Sequence, residues 1–188
     1  FSNAISDYKL KYKIKSEDNF SSTSDAMISI VSEFYHFGNA SCTKTVTEYV
    51  SLLLKNIIRF IGDDYTPLEA TLINNFKCER IISQQICGKF SAFTAVEAND
   101  STIAEFASRF AQEELNTVDE YTTAAVGEFL NLHNGLFTVN MSNVNDVELE
   151  LMPQKSEHNT VLDLKTNAFC IPIVFTFGTV NFILSTKN

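Results

Sequence analysis

The two runs that close the chain, "NAFCIPIVFTFG" and "TVNFILST", constrain its fold most. Each is a nearly unbroken apolar stretch rich in β-branched and aromatic side chains, and the two meet at Gly178. Runs of this kind, punctuated by a glycine, read as a hairpin of buried strands. Pro172 has no N–H for a ladder, which predicts an edge position or a bulge for its strand. Three earlier runs, "EATLINNFK", "RIISQQI" and "KFSAFTAVEA", are also strand-like, with Cys87-Gly88 punctuating the last two. "VELELMP" precedes a polar loop predicted over residues 154–159.

The intervening patterns are helical. "VTEYVSLLLKNIIRFIG" is apolar over most of a helix surface and stops at Gly62. In "DSTIAEFASRFAQEEL", Ile103, Phe106, Ala107, Phe110 and Ala111 form one stripe, with Asp100 or Ser101 as the cap. A further helix starts at "TVDEY", where Thr117 and Glu120 have capping-box spacing. Asn134-Gly135 is a turn signal that leaves the end of that helix open. The predicted class is therefore α+β, with helices packed on an antiparallel β-sheet.

This domain is expected over residues 45–188. Residues 1–4, "FSNA", read as the remnant of a cleaved tag. Residues 5–44 form an N-terminal extension to which the sequence assigns no role. Within it, "YKLKYKIK" alternates apolar residues with lysine as a half-exposed strand does. Residues 16–25 are a polar loop, and "AMISIVSEFYHF" is a short helix stopped near Gly38.

Composition supports a single domain with a substantial core: 188 residues, 45% apolar, sixteen Phe and no Trp. A formal charge of −9 weighs against nucleic acid as a partner. Cys42, Cys78, Cys87 and Cys170 form no CxxC pair, so neither a disulfide framework nor a zinc site is expected, and buried thiols are. No apolar run approaches the ~20 residues of a membrane helix and no basic-then-apolar leader opens the sequence. The expectation is a cytoplasmic protein without a membrane partner. His133 falls among apolar residues and reads as a core histidine, while His36 and His158 have no nearby nucleophile or metal partner.

The stretch "TTAAVGEFLNLHNGLF" carries the main functional signal. At about 100° per residue, Val118, Tyr121, Ala125, Val126, Phe129, Leu130, Leu132 and Leu136 occupy one broad half of the helix. Ala124, Glu128, Asn131 and Gly135 fall on a narrow stripe opposite. Glu128 and Asn131 are neighbours there, with Cβ atoms roughly 5–6 Å apart. On spacing alone this is the solvent side of an amphipathic helix. Asn and the mid-helix Gly127 are nevertheless poor helix formers, and a Gly costs on the order of 1 kcal/mol relative to Ala. Close packing against a strand or a functional surface would each offset that cost.

"GEFLNLHNG" followed by "VELELMP" resembles the core motif of the CheC/CheX/FliY phosphatases of bacterial chemotaxis: a Glu and an Asn three apart on a helix, with a Pro further along. The similarity runs from about residue 45 to residue 186 and includes the leading helix, "IISQQICGKFSAFTAVEA", "STIAEFASRF" and the closing hairpin. With one Glu/Asn motif and this order of elements, the chain looks most like the CheX branch. Two positions depart from the pattern. Ala124 stands where the family often has Asp or Ser, and Pro153 falls one residue short of the usual spacing from Asn131.

The resemblance implies a CheX/CheC-like fold and hydrolysis of the aspartyl phosphate on a CheY-like receiver domain. It implies that Asn131 positions the attacking water, accepting a hydrogen bond from it while donating one elsewhere. Glu128 would pair with a receiver Lys, and Ala124 and Gly135 would supply clearance. No cofactor of the protein's own is implied, because the receiver brings Mg²⁺. A homodimer is also implied. The alternative is a domain that docks a receiver, or acts as a scaffold, without hydrolysing anything.

Overall fold

The computed structural model describes residues 23–35, 43–145 and 147–187. The chain divides into two compact units, residues 1–51 and 52–188. In the first, α1 spans Thr23–Phe34, beginning inside the stretch read as a polar loop, and Ile30, Val31 and Tyr35 are buried. The lysine-rich run, Gly38, His36 and Cys42 lie outside the described residues. Helix α2, Thr43–Phe60, spans the division between the units, whereas the sequence sets the domain boundary at residue 45.

The second unit contains β1 (Tyr65–Pro67), β2 (Thr71–Gly88), β3 (Ser91–Ala98), α3 (Asp100–Ala111), α4 (Glu120–Asn145), β4 (Leu149–Leu151), β5 (Lys155–Phe175) and β6 (Gly178–Lys187). Among the described residues the strands make one sheet in the order β1-β5-β6-β3-β2-β4, antiparallel throughout. The α+β expectation holds. β2 and β5 also pair directly, through their outer halves, from Thr71↔Cys170 to Ser83↔Lys155.

That β2–β5 pairing corrects two sequence readings. "EATLINNFK" and "RIISQQI" belong to one continuous strand, and the polar stretch over 154–159 is mostly strand. Lys155, Ser156, Glu157, His158 and Asn159 are all exposed. Backbone pairing with β2 holds this run in the strand without burial, apart from Asn159, whose φ of 50° is left-handed, so no alternation of apolar and polar residues marks the strand. The outer halves pack inward on their other side: Ile73, Phe76, Leu162 and Leu164 lie against Cys78, Ile81, Ala95, Ala168 and Ile183. Burial pushes the Cys78 and Cys170 thiols up to about 11, with Glu97 adding to the effect, while Cys87 is only half-buried.

Pro172 sits in register with Asn181, and its carbonyl accepts from Leu68 N at 2.9 Å, on the side away from β6. On that side the pairing with β2 ends at Cys170 and the pairing with β1 begins at Ile173. The missing N–H therefore falls in a gap between two partners, and the expected irregularity lies further along the same strand, where the register shifts between Ile73↔Ala168 and Asn75↔Asp163.

The opposite sheet face packs under α3 and α4. Phe106 and Phe129, both buried, meet edge to face with ring centroids 5.0 Å apart, and each lies 6.2–6.3 Å from Phe182. Edge-to-face pairs of this kind add about 0.5–1.5 kcal/mol each beyond their burial. Asn99, rather than Asp100 or Ser101, caps α3 by accepting from Thr102 N at 2.9 Å. Asp119 does the same for α4 through Thr122 N, also at 2.9 Å, in place of the expected Thr117. Thr117 gives only its carbonyl, to the Thr122 hydroxyl.

Candidate functional site

Helix α4 runs past Asn134-Gly135 to Asn145, so the turn signal there is overridden. The reason is tertiary. Thr122, Val126, Phe129, Leu130, His133, Asn134, Phe137 and Thr138 form one buried stripe that continues through Asn134. Tyr121 and Leu136 do not follow the apolar half expected of them: they are 56% and 41% exposed.

The stripe carrying the motif lies on the other side. Ala124 and Glu128 are exposed, and Asn131 and Gly135 are half-buried. Glu128 has no hydrogen bond or ion pair among the described residues, so its carboxylate is available to a partner. Exposed apolar side chains surround the pair: Tyr121 and Leu136, with Val139 57% exposed on the same helix and Met152 42% exposed beyond β4. Exposed apolar side chains beside a carboxylate are features that a docking surface can use.

Asn131 is not free to turn. Its Oδ1 accepts from Gln84 Nε2 at 2.9 Å, and the same nitrogen donates to the Met152 carbonyl at 3.0 Å. Gln84, on β2, is 2% exposed. Its Oε1 accepts from Asn134 Nδ2 at 2.8 Å, which also donates to Thr94 Oγ1 at 2.9 Å. Thr94 completes the circuit by donating to the Gln84 carbonyl at 2.9 Å. The inner bond of Asn131 is thus an acceptance, where the sequence reading has the carboxamide donating elsewhere. One Oδ1 lone pair and both Nδ2 protons are left for a partner.

Pro153 lies between an anchor to β2 and an anchor to this helix. Met152 is held by Gln84 and by Gln85 O, and Gln154 Nε2 donates to Gly127 O at 3.3 Å. The segment therefore sits beside the turn that bears Glu128 and Asn131, whatever its spacing in sequence.

Gln84, Asn134 and Thr94 are functional candidates that sequence reading missed. For the two strand residues a signal existed: each is polar where its strand is otherwise apolar toward the sheet–helix interface, Gln84 between Ile82 and Ile86 and Thr94 between Ala92 and Val96. His133, by contrast, is the core residue expected, fully buried, with Asn56 Nδ2 3.1 Å from its Nδ1. Burial lowers its pKa to about 3, so it remains neutral and is no general base for this face. Among the described residues no group of three or more His, Cys, Asp or Glu could hold a metal ion, and no helix is long and apolar enough to cross a membrane.

No protein-family model and no curated protein matches the sequence. Solved structures do match. A CheC-like superfamily protein from Shewanella sp. PV-4 aligns over 77% of this chain and 97% of its own, at 16% identity and a TM-score of 0.66. The chemotaxis protein CheX from Desulfovibrio desulfuricans aligns over 77% and 99%, at 13% identity and a TM-score of 0.64. The chain has the CheX/CheC-like fold. A CheX–CheY–BeF3–Mg²⁺ complex from Borrelia burgdorferi also matches, over 77% of this chain and 98% of that one, at 11% identity and a TM-score of 0.65. Helix α4 is the element that presents Glu128 and Asn131.

Proposed function

We propose that this protein is a phosphatase of aspartyl-phosphorylated, CheY-like receiver domains in chemotaxis or another two-component response. The observation that carries the reading is an exposed Glu128, with no hydrogen bond or ion pair among the described residues, beside an Asn131 whose carboxamide is fixed from behind by buried Gln84. The CheX–CheY complex with a matching fold supports the choice of partner.

An aspartyl phosphate is an acyl phosphate and already reactive, so catalysis reduces to placing a water in line and stabilising charge. The receiver supplies Mg²⁺ and a Lys for the charge. The remaining Oδ1 lone pair of Asn131 accepts a hydrogen from the water and points the water's own lone pair at phosphorus. The new P–O bond forms as the acyl P–O bond breaks, giving inorganic phosphate and the receiver's free carboxylate. Glu128 docks the complex by pairing with the receiver Lys in an interface that excludes water. Ala124 and Gly135 keep the helix surface low enough for close approach.

A second reading, receiver docking without hydrolysis, is favoured by Ala124, which offers no polar contact at a position where the resembling family often has Asp or Ser. The decay of phosphorylated receiver, with and without this protein, separates the two. Faster decay supports hydrolysis; binding with unchanged decay supports docking alone.

A further inference from the structure

We propose that Gln84 is the positioning residue of this site: it sets which way round the Asn131 carboxamide is held. The inference rests on the receiver-phosphatase reading above and goes beyond it, because Gln84 touches neither receiver nor water. It lies 2% exposed on β2, behind the helix, and its role follows from the polarity of its hydrogen bonds.

The polarity starts from a group that cannot change. The Met152 carbonyl can only accept, so the end of the Gln84 side chain 3.0 Å from it must be the amide nitrogen. That nitrogen has a second proton, directed at Asn131 2.9 Å away, and Asn131 must meet it with oxygen. The other end of Gln84 is then an acceptor, and Asn134 fills it with an N–H at 2.8 Å. Asn134 gives its second proton to Thr94 Oγ1, whose own proton goes to the Gln84 carbonyl. The donors and acceptors around Gln84 agree in every bond, and reversing its amide would set nitrogen against nitrogen at Asn134 and oxygen against oxygen at Met152. One buried side chain thus presents Asn131 oxygen-inward and ties the Pro153 segment to the same helix turn.

A residue acting through Asn131 should alter turnover without altering receiver affinity. The test measures kcat and KM for phosphorylated receiver with Gln84→Glu, which keeps the acceptor for Asn134 but loses the donor, and with Ser185→Ala as a control. Ser185 is a buried β6 residue hydrogen-bonded to Thr166 and Asn167, apart from the network. Gln84→Glu should lower kcat at least 10-fold with KM within 2-fold of the parent, and Ser185→Ala should leave both within 2-fold. Unchanged kcat in Gln84→Glu, a change in KM alone, or an equal fall in Ser185→Ala overturns the assignment. A parent protein that does not accelerate receiver decay overturns the phosphatase reading itself, and this inference with it. Should Gln84→Glu fail to fold, the parent answers by NMR relaxation of the Asn131 side-chain amide. A carboxamide as rigid as the α4 backbone around it supports the assignment, and one that reorients independently of that backbone overturns it.

Discussion

The imidazole of His133 and the carboxamide of Asn56 meet at 3.1 Å, joining α4 to α2 where neither side chain reaches water. Burial holds the His133 pKa at about 3 in the folded protein, against about 6.5 in an unfolded chain. The unfolded state therefore takes up the proton first as pH falls. The stability associated with neutral His133 is complete above about pH 6.5 and is lost between there and about pH 3, by up to about 1.4 kcal/mol per pH unit. NMR of the folded protein should show the His133 ring unchanged from pH 8 to 5, while the denaturation midpoint falls below pH 6.5. A ring that titrates near pH 6.5 would contradict this.

Gly135 separates stability from function. A Cβ there would meet nothing nearer than Leu151 Cδ1 at 4.0 Å. Gly135→Ala should therefore stabilise the protein by about 0.5–1 kcal/mol through helix propensity. If the glycine provides clearance for a receiver, the same change should weaken receiver binding. Chemical denaturation and a binding titration on one sample check both signs.

Gly178 should behave oppositely. Its φ of +145° suits glycine, and a Cβ would collide with the Thr102 hydroxyl at the start of α3. Gly178→Ala should cost about 1–3 kcal/mol of stability by denaturant titration.

Glu128→Ala removes an exposed carboxylate with no partner among the described residues, so its effect on stability should lie within about 0.5 kcal/mol. If Glu128 pairs with a receiver Lys as proposed, losing that pairing should cost about 2 kcal/mol or more of binding, roughly a 30-fold rise in Kd. Binding by the variant should also depend less on salt. Calorimetry at two ionic strengths tests both.

The stripe of Ala124, Glu128, Asn131 and Gly135 was legible in sequence because helical spacing alone aligns it; the first two residues are exposed and the last two half-buried. The closing hairpin was legible too, since buried strands around Gly178 are continuous in apolar residues. What supports the site from behind was not. Gln84, Thr94 and Asn134 come from three elements, and only the register Gln84↔Thr94 beneath α4 brings them together. The outer half of β5 escaped for a different reason: paired through its backbone and wet on its surface, it has the composition of a loop. Asn134-Gly135 left the helix end open in sequence, because only the burial of Phe137 and Thr138 beyond it outweighs the local turn preference.

The most direct test is the decay of a phosphorylated CheY-like receiver in Mg²⁺ buffer, with this protein and with its Asn131→Ala variant. The parent should accelerate decay. Asn131→Ala should lose that acceleration by on the order of 100-fold while binding the receiver with nearly unchanged Kd. Equal acceleration by parent and variant would contradict the role of Asn131, and no acceleration by the parent despite measurable binding would leave a docking domain in place of an enzyme.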